Sequence, residues 1–213
     1  MSTRVDEVAG AGIAVRFDAK RCIHARACVL GRPAVFRGGV DGQWIFPDEA
    51  PAETVAAVAQ QCPSGAITYR RVDGGPDEGP PAANVVRLRE NGPLAVVADL
   101  RLGDEPAQIR ATLCRCGASQ RKPYCDGSHL TSGCVATGEP AARSSSPLSE
   151  RSGPLRVRAT PNGPLQLEGN VEVVSGTGRT LSRTQACALC RCGASATKPF
   201  CDGSHARVGF KVP

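Results

Sequence analysis

The sequence predicts an α+β protein in which a small N-terminal module precedes a β-rich, pseudo-twofold pair of similar modules. The main evidence is a stretch of the form C-x-C-x2-S-x3-P-x-C-D-G-S-H that occurs twice, at residues 114–129 and 190–205. Each copy follows runs that alternate apolar and polar residues, as half-buried strands do. Upstream, cysteines are interspersed with a strand pattern, a helix pattern and a second strand pattern. We therefore predict three modules, at residues 1–75, 84–136 and 153–213.

The composition favours small units that a bound metal stabilises. The 213 residues include 24 Gly and 17 Pro but only 5 Phe, 2 Tyr and 1 Trp. So few aromatic residues cannot build a large core, and metal binding supplies folding free energy where apolar burial is limited. The 11 cysteines are the obvious candidate ligands.

The expected compartment is a reducing one. The N-terminus has no signal-peptide pattern, and no apolar run reaches membrane-spanning length, so we expect a cytoplasmic protein without membrane association. In such a compartment clustered cysteines bind metal more often than they form disulfides. The formal charge of +6 indicates mainly a solvated basic face that can attract an acidic partner protein. Aromatics are not interleaved with the basic residues, so nucleic-acid binding is not expected.

The N-terminal module reads as strand, cysteine loop, helix and strand. Residues 1–12 show no regular pattern and are predicted to be disordered, whereas residues 13–18 alternate as a strand does. Asp48 is a candidate N-cap for a helix that ends at Cys62-Pro63. The apolar positions of that helix follow the helical spacing at Val55, Val58, Ala59 and Cys62. Residues 66–70 are predicted to form the second strand, and residues 72–83 a linker.

The cysteines of this module resemble those of divergent single-cluster bacterial ferredoxins over residues 13–71. Cys22, Cys28 and the distant Cys62-Pro63 take three places of the ferredoxin pattern, and Ala25 takes the place of the missing cysteine. The resemblance implies a ferredoxin-like module in which these three thiolates hold a [3Fe-4S] cluster. The alternative is a [4Fe-4S] cluster with another ligand at its fourth iron, for which His24 is the nearby candidate.

The two later modules share their strands as well as their cysteines. Asn91-Gly92 and Asn162-Gly163 each lie between two apolar-alternating runs, a pattern typical of β-hairpins. The intervening residues 137–154 are predicted to be a linker. Each module is too small to bury a core alone, so we expect the two to pair or exchange strands about a pseudo-twofold axis.

Each repeated stretch contains a complete set of four metal ligands. Three thiols and one imidazole suit either a structural zinc ion or an iron–sulfur cluster. Zinc sites favour two to four residues between their cysteines, whereas this motif has one. The candidate ligands are Cys114, Cys116, Cys125 and His129 in the first copy, and Cys190, Cys192, Cys201 and His205 in the second.

Both copies of the repeated stretch resemble the signature of the CDGSH iron–sulfur (mitoNEET-like) family. The duplicated region spans residues 84–213. The resemblance implies a β-rich fold with a [2Fe-2S] cluster on each ligand set, in place of zinc. It also implies that both halves of a dimer of single-motif chains lie here in one chain, so that a monomer suffices.

Residues around the ligands are expected to tune the clusters. Ser119 and Ser195 are predicted to donate hydroxyl hydrogen bonds to sulfur. Asp126 and Asp202 are predicted to cap a helix that begins at the third cysteine and points its N-terminal amides at the cluster. The basic residues of the motif are predicted to face water, and the alternative is that they tune the reduction potential: Arg115, Lys122, Arg191 and Lys198.

These sites predict an electron carrier with a redox partner protein. The alternative is a redox- or pH-responsive donor that passes a [2Fe-2S] cluster to an apo-acceptor protein, since His129 and His205 make one iron–ligand bond protonatable. An enzyme is not expected, because the sequence shows no nucleophile–base pair, phosphate-binding glycine loop or cofactor fingerprint. Cys134 and Cys187 belong to neither set and are predicted to be structural or free thiols.

Overall fold

The computed structural model describes residues 5–212. Contacts divide the chain into two compact units, residues 1–79 and residues 80–213, and each is described by itself. Along residues 5–212, no helix combines the length and the apolar character needed to cross a membrane.

The N-terminal unit is a three-stranded antiparallel sheet with helices against it. The strands follow the order β1-β2-β3, with β1 at an edge. Apolar side chains of β2, β3 and the longer helix form its core, among them Val15, Val55, Ala59 and Ile67. Its elements are β1 (Val5–Ala9), β2 (Ile13–Asp18), α1 (Ala27–Gly31), a 3-10 turn (Pro47–Glu49), α2 (Ala52–Gln60) and β3 (Ile67–Arg71).

Two predictions for this unit were wrong. Residues 5–9, predicted to be disordered, form β1, while residues 1–4 lie outside the described residues. The side chains of β1 are mostly exposed, so the strand carries no apolar alternation to reveal it. Asp48 does not cap the helix, which begins three residues after Glu49, at Ala52. The Asp48 carboxylate instead accepts a hydrogen bond from the Ala11 amide at 2.7 Å.

The second unit is a six-stranded sheet to which each repeat contributes three strands. The predicted hairpins are present, and their turns place Asn91 and Asn162 in the left-handed region. The strands are β4 (Val85–Leu88), β5 (Leu94–Leu102), β6 (Gln108–Leu113), β7 (Pro154–Ala159), β8 (Leu165–Val174) and β9 (Thr180–Leu189). Two short helices begin at the end of the repeated motif, a 3-10 turn (Ser128–Leu130) and α3 (Ser204–Arg207).

The two repeats are joined by crossed strand pairing. The first strand of the first repeat, β4, pairs in parallel with β8, and β5 pairs in parallel with β7, the first strand of the second repeat. Asn84, fully buried before β4, connects the two repeats through its side chain. Its Nδ2 donates to the carbonyl oxygens of Gly153 and Asn170, and its Oδ1 accepts from the Asp99 amide. One apolar core from both repeats lies beneath, including Leu88, Leu100, Leu155, Leu167 and Val173.

The segment predicted to be a second linker is packed against the second repeat. Residues 137–153 contain no helix or strand. Even so, the Arg143 amide donates to Leu181 at 2.7 Å, and the Arg143 guanidinium lies 3.7 Å from the centre of the Phe200 ring. This stretch therefore covers part of the second module.

Candidate metal centres

Each repeated motif is a loop closed at its base by backbone hydrogen bonds. In the first copy, which follows β6, the Cys114 amide donates to Pro123 at 2.8 Å and the Cys125 amide donates to Thr112 at 2.9 Å. In the second copy the Cys190 and Cys201 amides make the equivalent bonds, at 2.8 and 2.9 Å. This closure holds the first and third cysteines of each motif side by side.

The ligand side chains of the first loop occur as two pairs. The sulfurs of Cys114 and Cys116 are 3.8 Å apart, and the Cys125 sulfur is 3.3 Å from Nδ1 of His129. In the second loop the sulfurs of Cys190 and Cys192 are 3.7 Å apart. Two sulfurs that bind one tetrahedral ion at about 2.3 Å lie roughly 3.8 Å apart.

This pairing fits a centre with two metal ions better than a single zinc ion. Within residues 5–212, no three or more His, Cys, Asp or Glu side chains are placed to hold one ion. A pair of thiolates at one end and a thiolate with an imidazole at the other suits two bridged ions. The arrangement in the first loop therefore fits a [2Fe-2S] cluster, and the second loop has the same donor types.

Backbone amides point at the sulfurs. The amides of Ala118 and Gly127 lie 3.4 Å from the sulfurs of Cys116 and Cys125. The Cys114 thiol, donating to its neighbour, lowers the pKa of Cys116, whereas burial raises the pKa of Cys125 to about 11. Metal binding would favour the thiolate form of Cys125, because a bound cation stabilises the charge that burial disfavours.

The predicted role of the two serines was wrong. The Ser119 hydroxyl donates to the carbonyl oxygen of Tyr124 at 2.6 Å, and Ser195 makes the same bond to Phe200 at 2.7 Å. Each hydroxyl oxygen also accepts from an amide two residues further along the loop. These serines hold the loop backbone in shape and do not donate their hydroxyl hydrogens to sulfur.

The two aspartates brace the loop, and the helix that follows begins at Ser128 or Ser204, three residues later than predicted. Asp126 accepts from the amides of Ser128 and Gln120 at 3.0 and 2.8 Å, joining the middle of the loop to its C-terminal end. Burial alone would raise the pKa of Asp126, but hydrogen bonds from Ser128 and Gln120 outweigh it and lower that pKa to about 2. Asp202 makes the equivalent bonds, and its pKa is also lowered.

The arginine between the first two cysteines is buried in both loops, so the prediction that it faces water was wrong. Arg115 is 1 % exposed and Arg191 is 3 % exposed. The Arg115 guanidinium donates four hydrogen bonds to backbone carbonyls of the hairpin turn and of the segment after the loop: Arg89, Gly92, Ala136 and Thr137. An arginine occurs between the first two cysteines of both copies, and this repetition was the sequence signal that could have indicated a structural role.

The predicted exposure of the motif lysines was also wrong in part. The Lys122 ammonium donates to the carbonyl oxygen of Ser119 at 2.5 Å, and Lys198 makes the equivalent bond to Ser195 at 2.6 Å. Both side chains are partly buried in these bonds and fasten the middle of each loop.

The two metal loops lie in direct contact. A Cβ atom added to Gly117 would lie 2.5 Å from the carbonyl oxygen of Cys192, and one added to Gly193 would lie 2.4 Å from the carbonyl oxygen of Cys116. Each loop therefore packs the glycine after its second cysteine against the second cysteine of the other loop.

The three N-terminal cysteines line one cavity. Cys22, Cys28 and Cys62 share its wall with Ala25 and with Trp44. Burial raises the pKa of the Cys22 thiol, and the neighbouring Cys62 raises it further. His24 is exposed and is not part of this wall. The geometry thus brings the three predicted thiols together and leaves the alternative ligand outside.

None of the eleven cysteines, all of which lie within residues 5–212, forms a disulfide. Cys187, on β9, packs against the apolar core of the second unit. Cys134 is partly exposed beyond the first loop.

Comparisons with known proteins agree with these two kinds of site. The family model described as "Iron-binding zinc finger CDGSH type" matches residues 91–130 and 162–206. The family model described as "Divergent 4Fe-4S mono-cluster" matches residues 8–72. The chain is also similar to the "Uncharacterized protein YjdI" of Escherichia coli strain K12, with 41% identity over 61 residues, which are 29% of this chain and 79% of that protein. The protein of the same name from Escherichia coli O157:H7 gives the same figures.

Proposed function

The chain belongs to the CDGSH family of iron-binding proteins, with a divergent 4Fe-4S mono-cluster domain before its two CDGSH segments, and from this premise we propose that it carries electrons. It is an iron–sulfur-binding protein. The partner we propose is a redox protein, and the compartment we propose is the reducing cytoplasm, where clustered cysteines bind metal more often than they form disulfides. An enzymatic activity is not part of the proposal.

In each CDGSH loop, two pairs of side chains would each bind one iron of a [2Fe-2S] cluster. Cys114 and Cys116 would bind one iron, and Cys125 and His129 the other, with the same division at Cys190, Cys192, Cys201 and His205. A bound cluster supplies one-electron chemistry. The chain contributes an imidazole in place of a fourth thiolate, which removes one negative charge and raises the reduction potential, as histidine ligands do in Rieske centres.

The observation that carries electron transfer is the contact between the two loops. The glycine after the second cysteine of each loop packs against the backbone of the other loop's second cysteine. Two redox centres held this close can exchange electrons. The loops follow β6 and β9 of one sheet, which fixes their separation.

The crossed pairing of β4 with β8 and of β5 with β7 supports a pseudo-twofold relation between the two modules. We propose that this pair replaces a dimer of single-motif chains. The protein would then be a monomer of 22.1 kDa.

For the N-terminal unit we propose a ferredoxin-like module with a third cluster on Cys22, Cys28 and Cys62. The three thiolates suit a [3Fe-4S] cluster, and the alternative is [4Fe-4S]. Electrons would pass between this cluster and the CDGSH pair, or between each of them and a shared partner.

Metal analysis tests the cluster assignment. We expect about seven iron ions per chain in anaerobically purified protein, or about eight if the N-terminal cluster is [4Fe-4S], with matching acid-labile sulfide. The visible spectrum should survive repeated cycles of reduction by dithionite and reoxidation in air-free buffer with ferricyanide. Colourless protein that contains stoichiometric zinc and no sulfide would contradict the proposal.

A second candidate function is donation of a [2Fe-2S] cluster to an apo-acceptor protein. The observation in its favour is the position of His129, which is half-buried, whereas Cys114 and Cys125 are buried. The weakest expected ligand is therefore the one nearer to solvent.

His129→Cys separates the two candidates. A fourth thiolate adds negative charge and a stronger bond to iron, so we expect a lower reduction potential and slower cluster transfer to an apo-ferredoxin, measured by the rise of the acceptor's visible spectrum. His205→Cys makes the same substitution in the second loop and is expected to have the same effects. Transfer at an unchanged rate in both variants would remove the histidine from any release mechanism.

A further inference from the structure

The two CDGSH loops have the same ligands but different surroundings. The third cysteine of the first loop, Cys125, is 3 % exposed, whereas its counterpart in the second loop, Cys201, is half-buried. Contact with water favours the more negatively charged, reduced form of a cluster, and solvent exposure is one of the factors that set its reduction potential. This difference therefore favours reduction at the second loop.

A second difference lies at the aromatic residue before the third cysteine. In the first loop, the Tyr124 hydroxyl donates to the carboxylate of Glu105, and its oxygen accepts from the Gln108 side chain at 2.9 Å. In the second loop, Phe200 has no hydroxyl, and the guanidinium of Arg143 lies 3.7 Å from the centre of its ring. The first loop thus has a carboxylate where the second has a guanidinium. A nearby negative charge lowers a reduction potential, and a nearby positive charge raises it.

The segment between the repeats holds Arg143 in this position. The Arg143 amide donates to the carbonyl oxygen of Leu181 at 2.7 Å. Two residues later, the Ser145 hydroxyl oxygen accepts from the Arg183 amide at 3.0 Å. Both partners lie on β9, the strand that leads into the second loop. The positive charge is therefore tied to the second loop by the backbone around it as well as by the ring.

The other charged residues that differ between the loops do not reverse this order. Over residues 114–136 and 190–212, the charged residues that the repeats do not share are Arg121 in the first and Arg207 and Lys211 in the second, all of them exposed. They leave one additional positive charge at the second loop. Glu105 and Arg143 therefore act in the same direction as the rest of the sequence.

We infer that the second loop holds the higher-potential centre of the CDGSH pair, so that an electron shared by the two loops rests at the second. This inference rests on the proposed function. The contacts of Gly117 and Gly193 with the opposite loop bring the two sites together. Transfer from the first site to the second oxidises one centre and reduces the other by one electron, and no bond or proton changes place. Glu105 and Arg143 are the residues that set this direction.

The test is a potentiometric titration of the anaerobically purified, full-length protein, followed by electron paramagnetic resonance of the reduced CDGSH loops. We expect two one-electron steps, with the ratio of reduced to oxidised centre differing at least tenfold between the loops, which is about 59 mV. Repulsion between two reduced centres would also separate the steps of an equivalent pair. Variants that change one loop at a time therefore make the assignment.

The ligand variants show which loop gives which step. His129→Cys and His205→Cys each add a thiolate to one loop, and each should lower the potential of its own loop. We expect His129→Cys to widen the separation between the two steps, because it lowers the lower one. His205→Cys should narrow the separation, because it lowers the higher one.

Variants outside the ligand sets test the two charges. Arg143→Met lowers the higher step and Glu105→Gln raises the lower one, so both should narrow the separation. Arg143→Lys keeps the positive charge and should keep the separation. Arg158→Met is the control, because it removes an exposed arginine from β7 of the same unit and should leave both steps unchanged.

Iron and acid-labile sulfide counts distinguish failure of this inference from failure of the proposed function. Protein without iron in the CDGSH loops contradicts the proposed function. Iron in both loops, with His129→Cys and His205→Cys giving the same titration or His129→Cys narrowing the separation, leaves that function in place and overturns the inference. A separation that Arg143→Met and Glu105→Gln both leave unchanged overturns the assignment of the direction to these two side chains.

Discussion

We expect the Gly117→Ala variant to lose the iron of both CDGSH loops, whereas the Gly127→Ala variant should retain it. Both glycines lie in the first metal loop with nearly the same backbone, at φ values of +84° and +88°. A Cβ atom at residue 117 meets the carbonyl oxygen of Cys192 at 2.5 Å, while one at residue 127 has nothing within 4 Å. Left-handed strain of about 1–2 kcal/mol is common to both variants, so the difference between them measures the contact between loops.

The second loop repeats the comparison. Gly193→Ala meets the carbonyl oxygen of Cys116 at 2.4 Å, and Gly203→Ala, at a φ value of +82°, meets nothing within 4 Å. The measurement is iron and acid-labile sulfide per chain after anaerobic purification, together with the thermal midpoint. We expect the two contact variants to lose metal at both loops, because backbone cannot move aside as a side chain does. Equal iron in all four variants would show that the loops are not in contact.

The ligands and hairpins could be predicted from the sequence because their signals are local. The four ligands of each loop are spaced within sixteen residues, and Asn91-Gly92 places its turn by backbone preference alone. Strand β2 was predicted with its observed bounds because one of its faces is buried, which produces apolar alternation. Such features depend on residues that are close in the sequence, so they can be predicted without knowledge of the rest of the fold.

Features that depend on distant partners could not be predicted. Parallel pairing of β4 with β8 joins segments about 90 residues apart, and local sequence patterns do not predict which strand another strand pairs with. Strand β1 escaped detection because its side chains are exposed, and its only evidence is the hydrogen bonding to β2. Ser119 was assigned to sulfur, but the backbone bonds that close the loop place its hydroxyl against the Tyr124 carbonyl oxygen instead.

The buried arginine is the most informative error. A charged side chain is rarely fully buried, so Arg115 was placed in water by its residue type. The structure satisfies its guanidinium with backbone carbonyls and no carboxylate. Its positive charge therefore remains available to an anionic cluster. Burial lowers the pKa of Arg115, and the nearby Cys134, Glu90 and Cys190 oppose that shift.

Arg115→Met should lower both the stability and the reduction potential. It leaves buried carbonyl oxygens without their donor, which we expect to cost about 3–5 kcal/mol in the free energy of unfolding, measured by urea denaturation. It also removes a cation from the low-dielectric surroundings of the clusters, which makes an added electron less favourable. We expect the midpoint potential to fall by about 60 mV, a tenfold change in the ratio of reduced to oxidised cluster for a one-electron centre.

Two further variants separate charge from structure. Arg115→Lys keeps the charge but loses the planar fork, so its stability should fall while its potential stays near that of the wild type. Arg121→Met removes the same charge from an exposed position in the same loop, where water screens it, and should change the potential little. A potential that falls equally in the lysine and methionine variants would mean that Arg115 acts only by holding the loop. A potential that falls equally in the Arg121 and Arg115 variants would mean that burial adds nothing to the effect of the charge.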